Sequence, residues 1–365
     1  MNDKARLTLE NCRYCLMCRH VDPLDQIFHR ETLTPHGIAL TAISEQRGLI
    51  TWNEDWVDVI FSEVDAGIAQ ANCVTDQPFS DAVALVKADL VKAGLAPDSV
   101  YKLDKKLQNQ ASPFGQDPLE TTTNKGSTAL FVGDESHFLW PEAIEAAVKL
   151  LEALGENPVL ISRGKSNGFL ASSLGLLDTA RKQASTILKE LEVVGASKLV
   201  VLSPGDAFTF SNLYNERLGI SWPDTVEVVD LITLLANALS SGEISFEPAV
   251  TDKTSAYVDP THASRAPNRY ESPRLLLRAI LPETPLELFW RKKRTHPVGN
   301  TSLQFTHPEL AKALTQGRLE DARSRGIEVL YTEDPSTLFH LQNHAQEYNL
   351  EIRGLYEKLE ASLSS

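Results

Sequence analysis

The sequence lacks any run of about 18 apolar residues, the length that a helix needs to cross a bilayer. Its first residues also lack the apolar core of a signal peptide, so export is not expected. We therefore expect a protein that is not integral to a membrane. The expected location is the cytoplasm, with peripheral attachment to the inner membrane only through partners.

Basic residues are scarce relative to acidic ones. The chain has 35 lysines and arginines against 49 aspartates and glutamates, which gives a net charge of -14. This charge repels phosphates, so nucleic acid is not an expected partner. Phosphate-binding glycine loops are also missing, since neither a G-x-G-x-x-G motif after a strand nor a P-loop lysine motif occurs. We do not expect this chain itself to bind a nucleotide or a flavin.

Cysteine is rare, and three of the four cysteines fall within seven residues. A structural disulfide framework does not need such a distribution. Cys12, Cys15 and Cys18 have C-x2-C-x2-C spacing, which lets one tight loop direct three thiolates at three irons of a cubane. Ferredoxin runs of this type end in x3-C-P, but here Asp22 precedes the proline. The fourth cysteine of the run is therefore missing.

Cys73 is the one cysteine left to complete the site. In two-cluster ferredoxins the fourth cysteine of one run ligates the other cluster, so the change at position 22 removes the second cluster and spares the first. Counting back from Cys73 with the same spacing puts Glu63, Ala66 and Ala69 where a second run would have its other cysteines. The predicted ligands of one [4Fe-4S] cluster are Cys12, Cys15, Cys18 and Cys73.

Three other interpretations of these cysteines stay open. They could be four unrelated thiols, although the spacing argues for ligation. A zinc site would normally use two separated pairs of cysteines in place of a triplet and a single residue. A radical-type cluster with an open iron would need three ligands, whereas this set offers four.

The pattern of the chain changes twice. Residues 1–105 predict a mainly helical domain that carries the cysteines. Residues 106–128 are polar and rich in Gln, Asn, Thr, Pro and Gly, which is typical of a linker between separately packed units. Beyond this linker, short apolar strands alternate with amphipathic helices, a pattern typical of α/β units with parallel sheets.

An internal repeat follows the linker. The strand at 129–133 has a counterpart at 255–260, and the long helix at 177–194 has one at 307–325. The turns at 203–206 and 333–336 are also alike in character. We predict two duplicated lobes, residues 129–250 and 251–365, related by a pseudo-two-fold axis. The predicted fold class is α+β multidomain.

Four segments together carry a family resemblance. They are the N-terminal cysteine run, residues 29–37, residues 112–115 and Val258-Asp259-Pro260-Thr261-His262. The chain resembles, over nearly its whole length, the iron-sulfur subunits that join a dicluster ferredoxin domain to two cysteine-rich CCG domains. Anaerobic glycerol-3-phosphate dehydrogenase, glycolate oxidase and heterodisulfide reductase contain such subunits. The resemblance implies an N-terminal α-helical ferredoxin-like domain followed by two α/β CCG-like lobes.

The cysteines of the CCG motifs are absent from this sequence. The D-P-C-H position reads Asp259-Pro260-Thr261-His262, and the C-P-x-C region reads Glu333-Asp334-Pro335-Ser336. A CCG-type cluster is therefore not expected. Candidate ligand-binding residues at the former ligand loops are His137, His262 and Arg265. Candidate hydrogen-bonding residues around the cubane are His20, His29 and His36. A structural or solvated role is the alternative for all six.

The resemblance implies an electron-transfer subunit of a multisubunit, flavin-dependent oxidoreductase. Its single [4Fe-4S] cluster would relay electrons from a flavoprotein dehydrogenase subunit, which holds the flavin, to a downstream carrier or quinone. The chain itself would be non-catalytic. The alternative is a scaffold subunit whose cluster is structural. A self-sufficient enzyme is less favoured, because no nucleophile, base and orienting group stand at recognisable spacing.

Overall fold

The first part of the chain is helical. A computed structural model describes residues 1, 3–115, 122–248 and 253–364. The helices before the first strand are α1 (Asp3–Cys12), α2 (Pro23–Phe28), α3 (Pro35–Gln46), α4 (Glu54–Phe61), α5 (Ile68–Ala71), α6 (Phe79–Lys92) and α7 (Asp98–Gln110). Helix α7 continues past residue 105 because Leu103 and Leu107, one turn apart, are both buried. The predicted linker therefore begins as helix, and its residues 116–121 lie outside the described part.

A parallel sheet of four strands forms the first lobe, the name used here for residues 128–241. Its strands run in the order β2-β1-β3-β4, and every neighbouring pair is parallel. In chain order the elements are β1 (Thr128–Phe131), α8 (Gly133–Leu139), α9 (Glu142–Ala153), β2 (Val159–Ile161), α10 (Phe169–Ser173), α11 (Leu177–Val194), β3 (Lys198–Val201), α12 (Pro204–Phe208), α13 (Tyr214–Glu216), β4 (Glu227–Asp230) and α14 (Leu231–Ser241).

A second parallel sheet with the equivalent strand order, β6-β5-β7-β8, forms the second lobe, residues 255–361. Its elements are β5 (Ser255–Tyr257), α15 (Ser272–Ile280), β6 (Leu286–Glu287), α16 (Leu303–Thr306), α17 (Pro308–Arg323), β7 (Val329–Thr332), α18 (Pro335–Ala345), β8 (Glu351–Gly354) and α19 (Leu355–Ala361). The predicted boundary at 250/251 lies outside the described residues. The fold is thus mixed α/β with two small parallel sheets.

The registers of the two sheets fix which residues correspond. Thr128 pairs with Lys198 in the first sheet, and Ser255 pairs with Val329 in the second. Ser203 and Asp334, each five residues beyond the paired strand residue, both cap a helix that begins with proline. The structure therefore aligns Ser203 with Asp334. The alignment suggested by the sequence, which set Ser203 against Glu333, is off by one residue.

The first sheet is covered on both faces. Ala129 and Phe131 of β1 belong to a hydrophobic core shared with the N-terminal helices, whereas Leu130 belongs to a core shared with the second lobe. Alternate residues of a strand point to opposite faces, so one strand contributes to both cores. The predicted units are consequently not packed separately. Among the described helices, none combines the length and the apolar composition needed to cross a membrane.

Candidate functional site

All four cysteines line one cavity near the protein surface, with a volume of about 50 Å³. Cys12 is the last residue of α1, and Cys73 follows α5 by two residues. Cys15 is exposed, while the other three are partly buried. The fold therefore brings together two chain segments that are 55 residues apart in sequence.

Tight turns shape the cysteine loop. The Cys15 N–H donates to the Cys12 carbonyl at 3.2 Å, and the Val21 N–H donates to the Cys18 carbonyl at 3.1 Å. The His20 ring nitrogen Nδ1 lies 2.7 Å from the carbonyl oxygen of Met17, inside the same loop. These contacts fold the C-x2-C-x2-C segment back on itself, so three thiols face one cavity.

Two kinds of environment surround the thiols. Burial raises the pKa of Cys12 to about 12, with smaller contributions from Cys73 and Cys15. Burial, the Asp22 carboxyl and the neighbouring thiols raise the pKa of Cys18 to about 12 as well. Burial also opposes ionisation of Cys73, but hydrogen bonds from the Thr75 hydroxyl and from backbone N–H groups lower its pKa overall. Ionised forms of Cys12 and Cys18 would therefore need a positive charge close by.

A smaller cavity, of about 20 Å³, lies beside the first and is lined by Asp22, Glu63, Ala66 and Ala69. These are the four positions at which the spacing argument placed the cysteines of a lost second cluster. Ala69 also lines the cysteine cavity, so the two cavities are adjacent. The four positions therefore converge on one cavity, next to the cavity that the four cysteines line.

The second cavity carries acid side chains in place of thiols. Burial is the main cause that raises the pKa of Asp22 to about 7, and Glu63 adds to the shift. The Glu63 carboxylate accepts a hydrogen bond from the Ser80 hydroxyl at 2.8 Å and lies 3.7 Å from the ammonium of Lys87. The buried Lys87 also donates to the Glu63 carbonyl at 3.1 Å. An internal ion pair thus supplies positive charge at this place.

In the described part of the chain, no group of three or more His, Cys, Asp or Glu side chains is arranged to hold a metal ion. The four thiols share a cavity without forming the close set that a single ion requires. In a cubane each thiolate binds a different iron, so its ligands lie farther apart than those of one zinc ion.

The predicted histidines take other positions. None of His20, His29 and His36 is among the residues that line the cysteine cavity. His36 lies 3.1 Å from Glu31, and His29 ends α2 in a left-handed conformation. Only His20 contacts the cysteine loop, through the Met17 carbonyl. Of the three, only His20 is therefore placed where it could support the cysteine loop.

Two of the three residues expected to bind a ligand in the lobes, His137 and Arg265, lie elsewhere in the structure. Ser255 of the second sheet is equivalent to Thr128 of the first, and His262 lies seven residues after Ser255. The residue seven positions after Thr128 is Glu135. His137 is therefore not the counterpart of His262. His137 packs edge-on against its neighbour Phe138. Arg265 does not face a ligand site but forms an ion pair with Asp65. His262 does line a cavity, which lies between the two lobes.

Sequence reasoning missed two groups next to Cys73. The Gln77 N–H donates to the Cys73 sulfur at 3.4 Å, and the Thr75 hydroxyl lies at 3.4 Å from the same atom. Hydrogen bonds of this type stabilise a charged thiolate and tune the potential of a cluster. The hydroxyl residue two positions after Cys73 is a signal that could have identified Thr75, whereas Gln77 contributes a backbone N–H that its residue type does not reveal.

Exposed hydrophobic side chains flank the cysteines. Tyr14, Leu16 and Met17 are exposed within the cysteine loop, and Val74 is exposed next to Cys73. Few other large apolar side chains of the described residues are as accessible, and exposed apolar clusters commonly mark interaction surfaces. The rim of the cysteine cavity therefore has the composition of a contact surface for another protein.

Comparison with known proteins identifies the fold and no family. No protein-family model matches the chain, and no curated protein matches it. The crystal structure of a hypothetical protein from Helicobacter pylori is similar, with a TM-score of 0.64 and 11% identity, covering 99% of this chain and 77% of that chain. An aspartate racemase from Picrophilus torridus has a TM-score of 0.33 and 10% identity, over 65% of this chain and 92% of that chain. This similarity is too low to indicate a shared fold. At such identities only the overall fold of the first is shared.

Proposed function

We propose that this chain is an electron-transfer subunit that holds one [4Fe-4S] cluster through Cys12, Cys15, Cys18 and Cys73. The main support for the proposal is that all four cysteines of the chain line one surface cavity. Four thiolates complete the coordination of a cubane, and such a cluster supplies one-electron transfer when bound. The chain's own contribution is to orient the thiolates and to donate hydrogen bonds to Cys73.

The position of the cavity supports exchange of electrons with a partner. Cys15 is exposed, so a cluster there would lie close to the surface. The apolar side chains of Tyr14, Leu16, Met17 and Val74 offer contact area to a docked protein. The partner proposed is a flavoprotein dehydrogenase subunit that carries the flavin, with a carrier or quinone downstream. Such a complex would be cytoplasmic, or attached to the inner membrane through its other subunits.

The two adjacent cavities support descent from a dicluster ferredoxin. Position 22 and positions 63, 66 and 69 converge, as the ligands of a second cluster would. The matching strand orders of the two sheets support the view that both lobes descend from a duplicated CCG-like unit. In this proposal the lobes have kept the α/β fold of the ancestral unit and lost its cluster ligands.

Anaerobic purification followed by iron and sulfide analysis tests the proposal. About four irons per chain and one cubane EPR signal after dithionite reduction are expected. Cys73→Ser should lose the cubane or convert it to a three-iron signal, because only the three-cysteine loop remains. Asp178→Asn, on an exposed helix surface away from the cysteine cavity, is the control and should keep its iron. Zinc in place of iron would refute the proposal.

The same preparation separates a redox role from the scaffold alternative. A redox subunit should be reduced by its flavoprotein partner during turnover, and Leu16→Glu should slow this reduction without loss of iron, because a charge is placed on the apolar rim. A structural cluster would stay oxidised in the presence of substrate and partner. In that case Cys73→Ser would disrupt assembly of the complex instead of electron flow.

A further inference from the structure

A cavity of about 60 Å³ lies between the two lobes, at the carboxyl ends of both sheets. Asp134 follows β1, Asp206 follows β3 and Asp334 follows β7, and all three line it. Ligands of open α/β sheets bind beyond the carboxyl ends of the strands. The volume accommodates about four water molecules or a small organic group. This inter-lobe cavity is separate from the cysteine cavity, and it shares none of that cavity's lining residues.

Carboxyl groups dominate the charge of the inter-lobe cavity. Glu135 joins the three aspartates, and none of the described residues that line it is a lysine or arginine. Burial, together with repulsion from Asp334, Asp134 and Asp206, raises the pKa of Glu135 well above its usual value. Burial also raises the pKa of Asp206 to about 7. Four carboxyls on a wall that includes no lysine or arginine repel anions and, when ionised, favour a cationic ligand.

Two polar groups on the wall of the inter-lobe cavity have no hydrogen-bond partner among the described residues. The Thr301 side chain lines the cavity and only 3% of its surface is exposed, yet its hydroxyl is unpartnered. Nδ1 of His262 is also buried without a partner. Burial and the nearby Arg265 lower the pKa of His262 to about 3, so its ring is neutral near pH 7. A neutral imidazole nitrogen and a hydroxyl can both accept hydrogen bonds from an N–H donor.

Part of the remaining wall is aromatic. Phe114, Phe131 and Phe169 line the cavity, and the Phe169 ring meets the His262 ring edge-on with a centroid distance of 4.6 Å. Aromatic faces attract organic ammonium groups and accommodate a short carbon chain. Hard metal ions instead require several oxygen ligands close together. No such group of acid side chains is found in the described part of the chain.

We propose that the inter-lobe cavity binds a small organic cation whose primary ammonium group lies among Asp134, Glu135, Asp206 and Asp334 and donates to Thr301 or His262. The anchoring carboxylates are held in place by the chain itself. Asp206 accepts from the Asn167 amide at 2.7 Å and from the Ser203 hydroxyl at 2.9 Å. Asp334 accepts from the Thr337 N–H at 2.8 Å. This site does not depend on the cluster.

Calorimetric titration of the full chain at pH 8 with putrescine and ethanolamine tests the proposal. Both carry a primary ammonium group on a short chain, whereas 1,4-butanediol is a neutral analogue and succinate an anionic one. We expect at least one amine to bind about tenfold or more tightly than butanediol, since hydrogen bonds to charged groups are the stronger ones. Succinate should not bind. Cys73→Ser should leave amine binding unchanged, which separates this site from the proposed cluster.

Substitutions locate the site. Asp206→Asn and Asp334→Asn each remove one charge with little change in shape and should weaken amine binding about tenfold or more. Asp178→Asn, on an exposed helix surface, is the matched control and should bind as the wild type does. Equal binding of amine and butanediol, no amine binding at all, amine affinity unchanged in both variants, or binding of Mg²⁺ or Mn²⁺ alone would each overturn the proposal.

Thr301→Val provides a test that does not depend on the stability of the acid variants. Valine has nearly the shape of threonine, and the hydroxyl that it removes has no hydrogen-bond partner among the residues that the structure describes. If Thr301 serves a ligand, the variant should be as stable as the wild type, or more stable, while binding the amine about threefold to tenfold more weakly. A stable variant with unchanged amine affinity would contradict a binding role for this hydroxyl.

Discussion

The guanidinium of Arg217 in the first lobe donates to the carboxylate of Asp65 in the N-terminal part at 2.7 Å, and each side chain is only 1% exposed. Arg217 also bonds to Asp81 of α6, and Arg265 of the second lobe reaches the same Asp65. Burial opposes ionisation of Asp65, but the two guanidinium groups hold its pKa well below its usual range. One carboxylate therefore joins three parts of the chain.

Arg217→Met should destabilise the protein by about 3–5 kcal/mol, because it leaves the buried Asp65 and Asp81 without their main counter-ion. Urea unfolding followed by circular dichroism measures the change. Arg323→Ala is the control, since Arg323 forms an exposed ion pair with Glu320 one helical turn away and should leave the midpoint unaltered. A loss that is no larger for Arg217 than for Arg323 would show that the buried network contributes little.

Restoring thiols to the smaller cavity should restore a second cluster. The quadruple variant Asp22→Cys, Glu63→Cys, Ala66→Cys and Ala69→Cys places cysteines at every position that the dicluster arrangement needs. We expect about eight irons per chain after anaerobic reconstitution, against about four in the wild type. The triple variant that keeps Asp22 is the control and should form a less stable second cluster. Iron content unchanged by the four cysteines would contradict the dicluster ancestry.

If the proposed cluster is bound, the Thr75 hydroxyl should tune its reduction potential. Its contact with the Cys73 sulfur favours the reduced, more negative state, so Thr75→Val should lower the reduction potential. A hydrogen bond of about 1 kcal/mol corresponds to about 40 mV for one electron. Potentiometric EPR titration measures the shift, and Thr75→Ser, which keeps the hydroxyl, should retain the wild-type potential. Equal potentials for the valine and serine variants would exclude this role.

Stability should depend on pH through Asp206. An unfolded aspartate loses its proton near pH 4, whereas burial raises the pKa of Asp206 to about 7 in the folded protein. Between these values the folded state binds more protons, so this group lowers the free energy of unfolding as pH rises from about 4 to about 7. His262, whose pKa is lowered to about 3, has the opposite effect, and Asp134 acts in the same direction as Asp206.

The comparison of wild type with Asp206→Asn isolates the contribution of Asp206. The variant should gain about 1 kcal/mol or more relative to the wild type between pH 4 and pH 8, measured as urea midpoints without added amine. The exposed Asp178→Asn should run parallel to the wild type throughout. A constant difference between Asp206→Asn and the wild type at all pH values would mean that Asp206 titrates normally.

Two corresponding glycines should be sensitive to substitution. Gly168 and Gly299 have φ values of +92° and +79°, and a Cβ would lie 3.0 Å from the Ala180 carbonyl oxygen and 2.3 Å from the Ala311 carbonyl oxygen. Gly195 has φ +73° with no atom within 4 Å, so alanine there should cost only about 1–2 kcal/mol of backbone strain. Thermal unfolding of the three alanine variants should rank Gly299 as the most damaging and Gly195 as the least.

The sequence predicts the helices best where local pattern and capping agree. Helix α11 spans Leu177–Val194, as expected from its amphipathic period and from Gly195 at its end. The edge strands β4 and β8 are not predicted by the sequence, because Glu227–Asp230 and Glu351–Gly354 are short and each contains two charged residues. Backbone pairing to β3 and β7 stabilises these strands, and no local sequence pattern indicates them.

For the candidate site, too, the sequence predicts local features and misses contacts between distant residues. Cysteine spacing predicts the residues that meet at the cavity, because a ligand run is a local feature together with one distant residue. The ion pair between Asp65 and Arg217 joins positions 152 residues apart, and nothing in a single sequence indicates such a partner. The inter-lobe cavity was also not foreseen in detail, since its carboxyl groups come from three separate strand ends.

The double coverage of the first sheet has a consequence for biosynthesis. Domains generally fold as units while the chain is being made, N-terminal parts first. Here α19, at Leu355–Ala361, supplies Tyr356, whose hydroxyl donates to the Leu202 carbonyl directly beyond β3. The part of that face which α19 contacts thus stays uncovered until more than 150 further residues have been made, although α9 and α14 of the first lobe already pack on the same core. We expect the nascent chain to need protection by chaperones over this interval.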